Sequence, residues 1–245
     1  MNLAAASGED LGQVSDIVTD ALTAFNMTAD QAGRFADVLA QASSNSNTNV
    51  AMMGATFQKV APVAGALGYS VEDVSLAIGL MANASIKSEV AGTSLKTALA
   101  NMAKPTKQMK EYMDKYGISL TNADGSMKSF REVVDNLRSS LGGLSETEQV
   151  AAATAIFGKE SFAGMLAIVN ASEADFQKLS DSVNNSAGAA ERMAQIKLDN
   201  FQGKVTLLQS AVEGLQIALG DALLPTFTEL SLIHISEPTR PEPIS

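Results

Sequence analysis

Two residue types that often perform catalysis, Cys and His, are absent or nearly absent from this 245-residue chain. It has no Cys and no Trp, and His234 is its one histidine. A chain without Cys has neither a disulfide framework nor a thiolate zinc site, and one histidine cannot supply both imidazoles of an HExxH zinc site. No nucleophile stands beside a recognisable base. We therefore expect a protein that is not an enzyme, with no catalytic residues, no metal site and no cofactor.

One segment resembles part of a calcium-binding loop. Asn122, Asp124 and Gly125 stand where an EF-hand loop carries its third, fifth and sixth residues. Such a loop also needs an acidic residue at its first position and Glu at its twelfth, and these positions hold Leu120 and Arg131. We interpret the segment as a turn.

Adjacent carboxylates occur at Glu72 and Asp73, and closely spaced ones at Glu146 and Glu148. Each pair follows a serine that can cap a helix, and acidic residues in a first turn are stabilised by the helix dipole. We interpret both pairs as helix-start residues and not as acid–base catalysts.

The net charge of −10 disfavours a nucleic-acid groove, which needs clustered Lys and Arg. We expect no specific nucleic-acid binding. No apolar run reaches 18 residues, so the sequence predicts no transmembrane helix.

Helix-start signals recur along the chain. In each, Ser or Thr precedes Asp, Glu or Gln by three residues, the spacing of a capping box. The pairs are Ser7/Asp10, Thr28/Gln31, Ser70/Asp73, Ser129/Glu132, Ser145/Glu148 and Ser172/Asp175. Apolar residues follow at helical spacing. The sequence therefore predicts an all-α fold, with a compact helical domain over residues 1–187.

Residues 118–128 are the one segment with a β pattern. Ile118 and Leu120 alternate with polar residues, Asp124 and Gly125 can form a tight turn, and Met127 begins a possible return strand. We predict one small β-hairpin that lies against the helices, because a two-stranded hairpin is marginal alone.

Residues 188–224 predict one long amphipathic helix. Its apolar residues repeat at alternating steps of four and three over residues 194–219, a span of about 39 Å in a helix. These seam residues are Ala194, Leu198, Phe201, Val205, Leu208, Val212, Leu215 and Leu219. We expect a coiled-coil-like helix that associates with other copies through this seam.

Residues 225–245 predict an irregular tail, since prolines recur there too often for a helix. Within it, Ser231 to Arg240 read SLIHISEPTR, which resembles the translation of a transposon-end adapter used in sequencing-library preparation. We interpret residues 231–245 as artefactual and exclude them, with His234, from the fold.

Four long segments, in order, resemble the phage tail tape measure family. The first, over residues 60–106, reads VAPVAGALGYSVEDVSLAIGLMANASIKSEVAGTSLKTALANMAKPT. Residues 117–137, 144–171 and 184–230 continue the resemblance, and together the match covers nearly all of residues 1–230. Family members are much longer, so the resemblance implies a fragment truncated at both ends.

The resemblance implies a structural role. Tape measure proteins occupy the lumen of a phage tail, set its length while tube subunits polymerise around them, and are later released ahead of the DNA. The expected location is therefore the virion, and the host cytoplasm during assembly. The expected partners are tail-tube subunits, tail assembly chaperones and tail-tip or baseplate proteins, with host membrane contact only in the full-length protein.

Two other functions remain open from the residues. A helical interaction module of a secretion or signalling system would share the caps and the heptads. A phage-associated cell-wall hydrolase is the other alternative, because some tape measure proteins carry such domains elsewhere in the chain.

Overall fold

A computed structural model describes residues 1–199 and 204–219. The chain divides into two units, Met1–Gln195 and Ile196–Ser245. The described residues are mainly helical and contain no β-strand, which confirms the predicted all-α class. The helices are α1 (Asn2–Ser7), α2 (Leu11–Ala24), α3 (Ala32–Ser44), α4 (Val50–Ala66), α5 (Val71–Asn83), α6 (Ser88–Ala103), α7 (Lys107–Tyr116), α8 (Phe130–Leu141), α9 (Glu146–Phe157), α10 (Phe162–Val169), α11 (Glu173–Asn184), α12 (Ala189–Asp199) and α13 (204–219), with a 3₁₀ turn at Ala29–Gln31.

Hydroxyl caps begin most of the helices for which the sequence predicts them. In each capping box the hydroxyl side chain and the side chain three residues later satisfy each other's backbone N–H groups. Complete boxes occur at Thr28, Ser70, Ser129 and Ser145. Ser172 also caps its helix, by accepting a hydrogen bond from the backbone N–H of Asp175. Local sequence therefore sets these boundaries.

The predicted capping box at Ser7 was wrong. Helix α1 runs through Ser7, and Gly8 ends it with a φ of 79°. The cap of α2 is the carboxylate of Asp10, which accepts a hydrogen bond from the Gln13 amide at 3.0 Å. The signal failed because the acid of the expected pair acts as the cap itself.

Helix α5 lies at the centre of the compact unit, Met1–Gln195. It is buried on nearly all sides, as expected for a helix that is apolar all round. Helices α3, α10 and α11 pack against it. Its large buried side chains include Val74, Leu76, Ile78, Leu80 and Met81. The core is therefore built from layers of helices around α5.

Helices α4 and α6 form the most extensive helix–helix contact of the compact unit. A Cβ atom added at Gly92 would lie 2.8 Å from the Thr56 carbonyl oxygen and 2.7 Å from the Lys59 Cβ. The Thr56 hydroxyl also donates a hydrogen bond across the contact to the Ser88 carbonyl, at 2.8 Å. The two backbones approach closely because residue 92 has no side chain.

The predicted β-hairpin at 118–128 was wrong. The segment contains one isolated antiparallel bridge, between Thr121 and Met127. The turn itself forms, because the Asp124 carboxylate accepts hydrogen bonds from the Ser126 amide at 2.9 Å and from its hydroxyl at 2.6 Å. These two bonds also lower the pKa of Asp124.

Two backbone hydrogen bonds cross the turn, but at residues 117–119 the backbone is bonded to a helix. The Asn136 side chain on α8 accepts a hydrogen bond from the Ser119 amide at 3.2 Å and donates one to the Gly117 carbonyl at 3.0 Å. Ile118 and Leu120 are both buried. The apolar alternation therefore reflects packing on helices, which a short strand pattern cannot distinguish from a hairpin.

Candidate association surface

The carboxylates that could have formed a catalytic pair lie in first helical turns, which confirms that they are helix-start residues. Asp73 belongs to the capping box of α5, and its neighbour Glu72 forms an ion pair with Arg34 at 2.7 Å. At α9, the Ser145 hydroxyl donates a hydrogen bond to Glu148 at 2.6 Å, which lowers the pKa of that carboxyl. In the described part of the chain, no three His, Cys, Asp or Glu side chains are placed to hold a metal ion.

Helix α13 presents a large apolar surface. Its Leu208 is 65% exposed and its Leu215 is 61% exposed. Lys204 and Glu213 are its one basic and one acidic residue. Exposed apolar surface with so little charge is typical of an interaction site. Among the described helices, none is long and apolar enough to cross a membrane.

The predicted seam residues fall into groups with different exposure. Ala194 is buried in the compact unit. Leu198 and Val205 are half-buried. Phe201 lies outside the described residues, so the continuity of the seam across residues 200–203 stays a prediction. The exposed members are Leu208, Val212, Leu215 and Leu219. These four keep the steps of four, three and four, and span about 16 Å along α13.

Helix α12 is attached to the compact unit by small side chains. Its buried residues are Ala189, Ala190 and Ala194. Met193 packs against the core and remains half-buried. By contrast, α11 buries Phe176, Leu179 and Val183. The apolar contact of α12 is therefore small for its length.

The start of α12 is also held by a residue that the sequence analysis did not single out. The Asp37 carboxylate, on α3, accepts a hydrogen bond from the Gly188 amide at 2.8 Å and another from the Ala190 amide at 3.0 Å. More than 150 residues separate Asp37 from Ala190. No local pattern connects them, so sequence reasoning had no signal for this contact.

The described helices and the exposed apolar face of α13 define an all-helical protein whose main candidate site is an association surface. Residues 1–158 match the model of the family described as phage-related minor tail protein. The chain belongs to this phage-related minor tail protein family.

Two similar proteins are named as a tape measure protein and a probable tape measure protein. The tape measure protein of Pneumococcus phage Dp-1 is 36% identical over 230 residues, which are 94% of this chain and 20% of that protein. The probable tape measure protein of Escherichia phage P2 is 24% identical over 224 residues, which are 90% of this chain and 28% of that protein. The chain therefore spans a fifth to little more than a quarter of these relatives. No solved structure matches it.

Proposed function

We propose that this chain is part of a tape measure protein, which sets the length of a phage tail during assembly of the tail tube and is later released for DNA delivery. The observation that carries the proposal is the 36% identity to a phage tape measure protein along 94% of the chain. Similarity over 230 residues is far more specific than a short motif.

Helical architecture supports a measuring role. Each residue of an α-helix adds about 1.5 Å along the axis, so the number of helical residues fixes a length. This argument applies to an extended helix such as α13 of the second unit, because the helices of the compact unit pack side by side and do not add end to end. In this proposal the protein lies in the lumen of the tail, within reach of tail-tube subunits, and meets tail assembly chaperones and tail-tip or baseplate proteins in the host cytoplasm during assembly.

The seam on α13 supports association between copies of the chain. Leucine and valine at the repeating a and d positions of a heptad pack against the same positions of a neighbouring helix. Burial of Leu208, Val212, Leu215 and Leu219 would remove four exposed apolar side chains from water. Sedimentation equilibrium of the full chain tests this, and a strictly monomeric protein at all concentrations would contradict it.

A conditional stop codon tests the proposed function. In a parent phage that carries the full-length gene, the codon for Gln58 is replaced by an amber stop. A host without a suppressor should then produce no tails of uniform length in electron micrographs. A host whose suppressor inserts glutamine restores the natural residue and should restore normal tails, which makes it the matched control.

Normal tails in the non-suppressing host would contradict the proposal. That result would favour a helical interaction module with no part in tail assembly. A hydrolase is tested separately, by incubating the purified chain with peptidoglycan, where measurable cleavage would contradict the expectation of a non-enzymatic protein.

A further inference from the structure

We propose that Asp37 is a positioning residue that holds the first turn of α12 on the rest of the compact unit. When this contact breaks, α12 detaches while the rest of the unit stays folded. We call this contact the Asp37 clasp, and define it as the two hydrogen bonds from the Gly188 and Ala190 amides to the Asp37 carboxylate. The clasp does not depend on the proposed function, because it follows from the contacts alone.

The clasp joins a carboxylate to backbone groups that have no partner within their own helix. The first N–H groups of a helix are unsatisfied by intrahelical bonds and carry the positive end of the helix dipole. A carboxylate that accepts two of them forms charge-assisted hydrogen bonds, which are stronger than bonds between neutral groups. Asp37 therefore acts as a cap for α12 that is supplied from α3 instead of from the preceding residue.

The backbone at Gly188 is shaped for this contact. Its φ of 71° lies in the left-handed region that favours glycine, and a Cβ there would come within 2.8 Å of the Arg192 guanidinium. That guanidinium donates a hydrogen bond to the Ala187 carbonyl at 2.8 Å. These local contacts order the turn before α12, and Asp37 connects the ordered turn to α3.

Apart from the clasp, α12 contacts the core through three alanines and the half-buried Met193. Its three buried residues are alanines, whose side chains bury far less apolar area than the Phe, Leu and Val of α11. A groove of about 620 Å³ borders Asp37 and Gly188, so water can reach the clasp. When α12 lifts, water can replace the lost hydrogen bonds, and the newly exposed apolar area is limited to the contacts of its three alanines and Met193. The clasp is therefore a point of local opening.

Hydrogen exchange of the full chain, with and without Asp37→Asn, tests the clasp. The substitution keeps the side-chain shape and replaces one acceptor oxygen by an NH₂ group that faces the N–H donors. We expect the amides of residues 188–194 to exchange at least tenfold faster. The amides of α5 should keep their protection, because the core does not open.

Asp10→Asn is the matched control, because Asp10 caps α2 through an amide only three residues away. It should leave the exchange of residues 188–194 unchanged. Unchanged exchange of residues 188–194 in Asp37→Asn would overturn the proposal. Equal acceleration in α5, or failure of this variant to fold, would also overturn it, since Asp37 would then support the whole unit.

Discussion

Removal of one seam leucine should weaken association of the chain far more than removal of its immediate neighbour. Leu208 occupies the seam and is 65% exposed, whereas Leu207 is 51% exposed and lies off the seam on the same helix. Leu→Ala removes three carbons, each worth about 0.8 kcal/mol when buried. Scaled by the exposed fraction of Leu208, the loss is about 1.6 kcal/mol per copy, or about 3 kcal/mol for a pair.

A loss of about 3 kcal/mol of association free energy corresponds to a roughly 100-fold larger dissociation constant for Leu208→Ala. Leu207→Ala is the matched control and should change it by less than about threefold. Alanine favours helix, so both variants should keep the helical circular dichroism of the parent chain. The assay is sedimentation equilibrium over a range of concentrations. Equal weakening of association by both substitutions would refute association through the seam, because the copies would then contact each other through apolar surface without heptad geometry.

Two further predictions concern the compact unit. Tyr69 is 5% exposed and its hydroxyl has no hydrogen-bond partner among the described residues. Tyr69→Phe should therefore leave stability at neutral pH unchanged or raise it by up to about 2 kcal/mol in urea unfolding. Burial, with a smaller effect from Asp73, raises the pKa of Tyr69 to about 12. Because the unfolded chain loses this proton at lower pH than the folded chain, the parent chain should lose stability from about pH 10 to about pH 12. The same loss of stability in Tyr69→Phe would contradict this cause. Gly92→Ala should lower stability by about 1–3 kcal/mol, because its Cβ meets the Thr56 carbonyl oxygen and the Lys59 Cβ of α4. Gly33→Ala on α3 is the control, because a Cβ at residue 33 meets nothing within 4 Å. It should leave stability unchanged or raise it by up to about 1 kcal/mol in the same urea assay. Similar losses of stability at both sites would count against the close approach of α4 and α6.

The features predicted correctly from the sequence depend on neighbours in the chain. A capping box such as Ser70 with Asp73 satisfies its hydrogen bonds within one turn, so the residues that define it are also the residues that it binds. The turn at Asp124 was predicted for the same reason. Such features need no knowledge of the rest of the fold.

The features that were missed depend on distant residues. Ile118 and Leu120 alternate with polar residues as in a strand. However, the neighbouring Ser119 amide and Gly117 carbonyl form hydrogen bonds with the Asn136 side chain on α8. The Asp37 clasp joins the first part of the chain to α12 across more than 150 residues. Neither contact leaves a local pattern, because a polar side chain on a helix surface has the same sequence signature whether it binds water or a distant backbone.

The association surface stays a prediction. Heptad spacing places Leu208, Val212 and Leu215 on one apolar face of the helix. Their exposure leaves this face accessible to another chain. The spacing did not predict that Ala194, the first residue of the same seam, is buried in the compact unit. A heptad pattern identifies an apolar face, and the pattern is the same whether a second copy or the chain's own compact unit covers it.

The most direct test of a measuring role is the slope of tail length against the number of helical residues. In the full-length protein of a parent phage, residues 205–218 are deleted, duplicated or triplicated in frame, which keeps the heptad phase in every variant. A ruler predicts mean tail lengths that change by about −21, +21 and +42 Å, a slope of about 1.5 Å per residue. Tails of unchanged length across the whole series would contradict a measuring role for this helix.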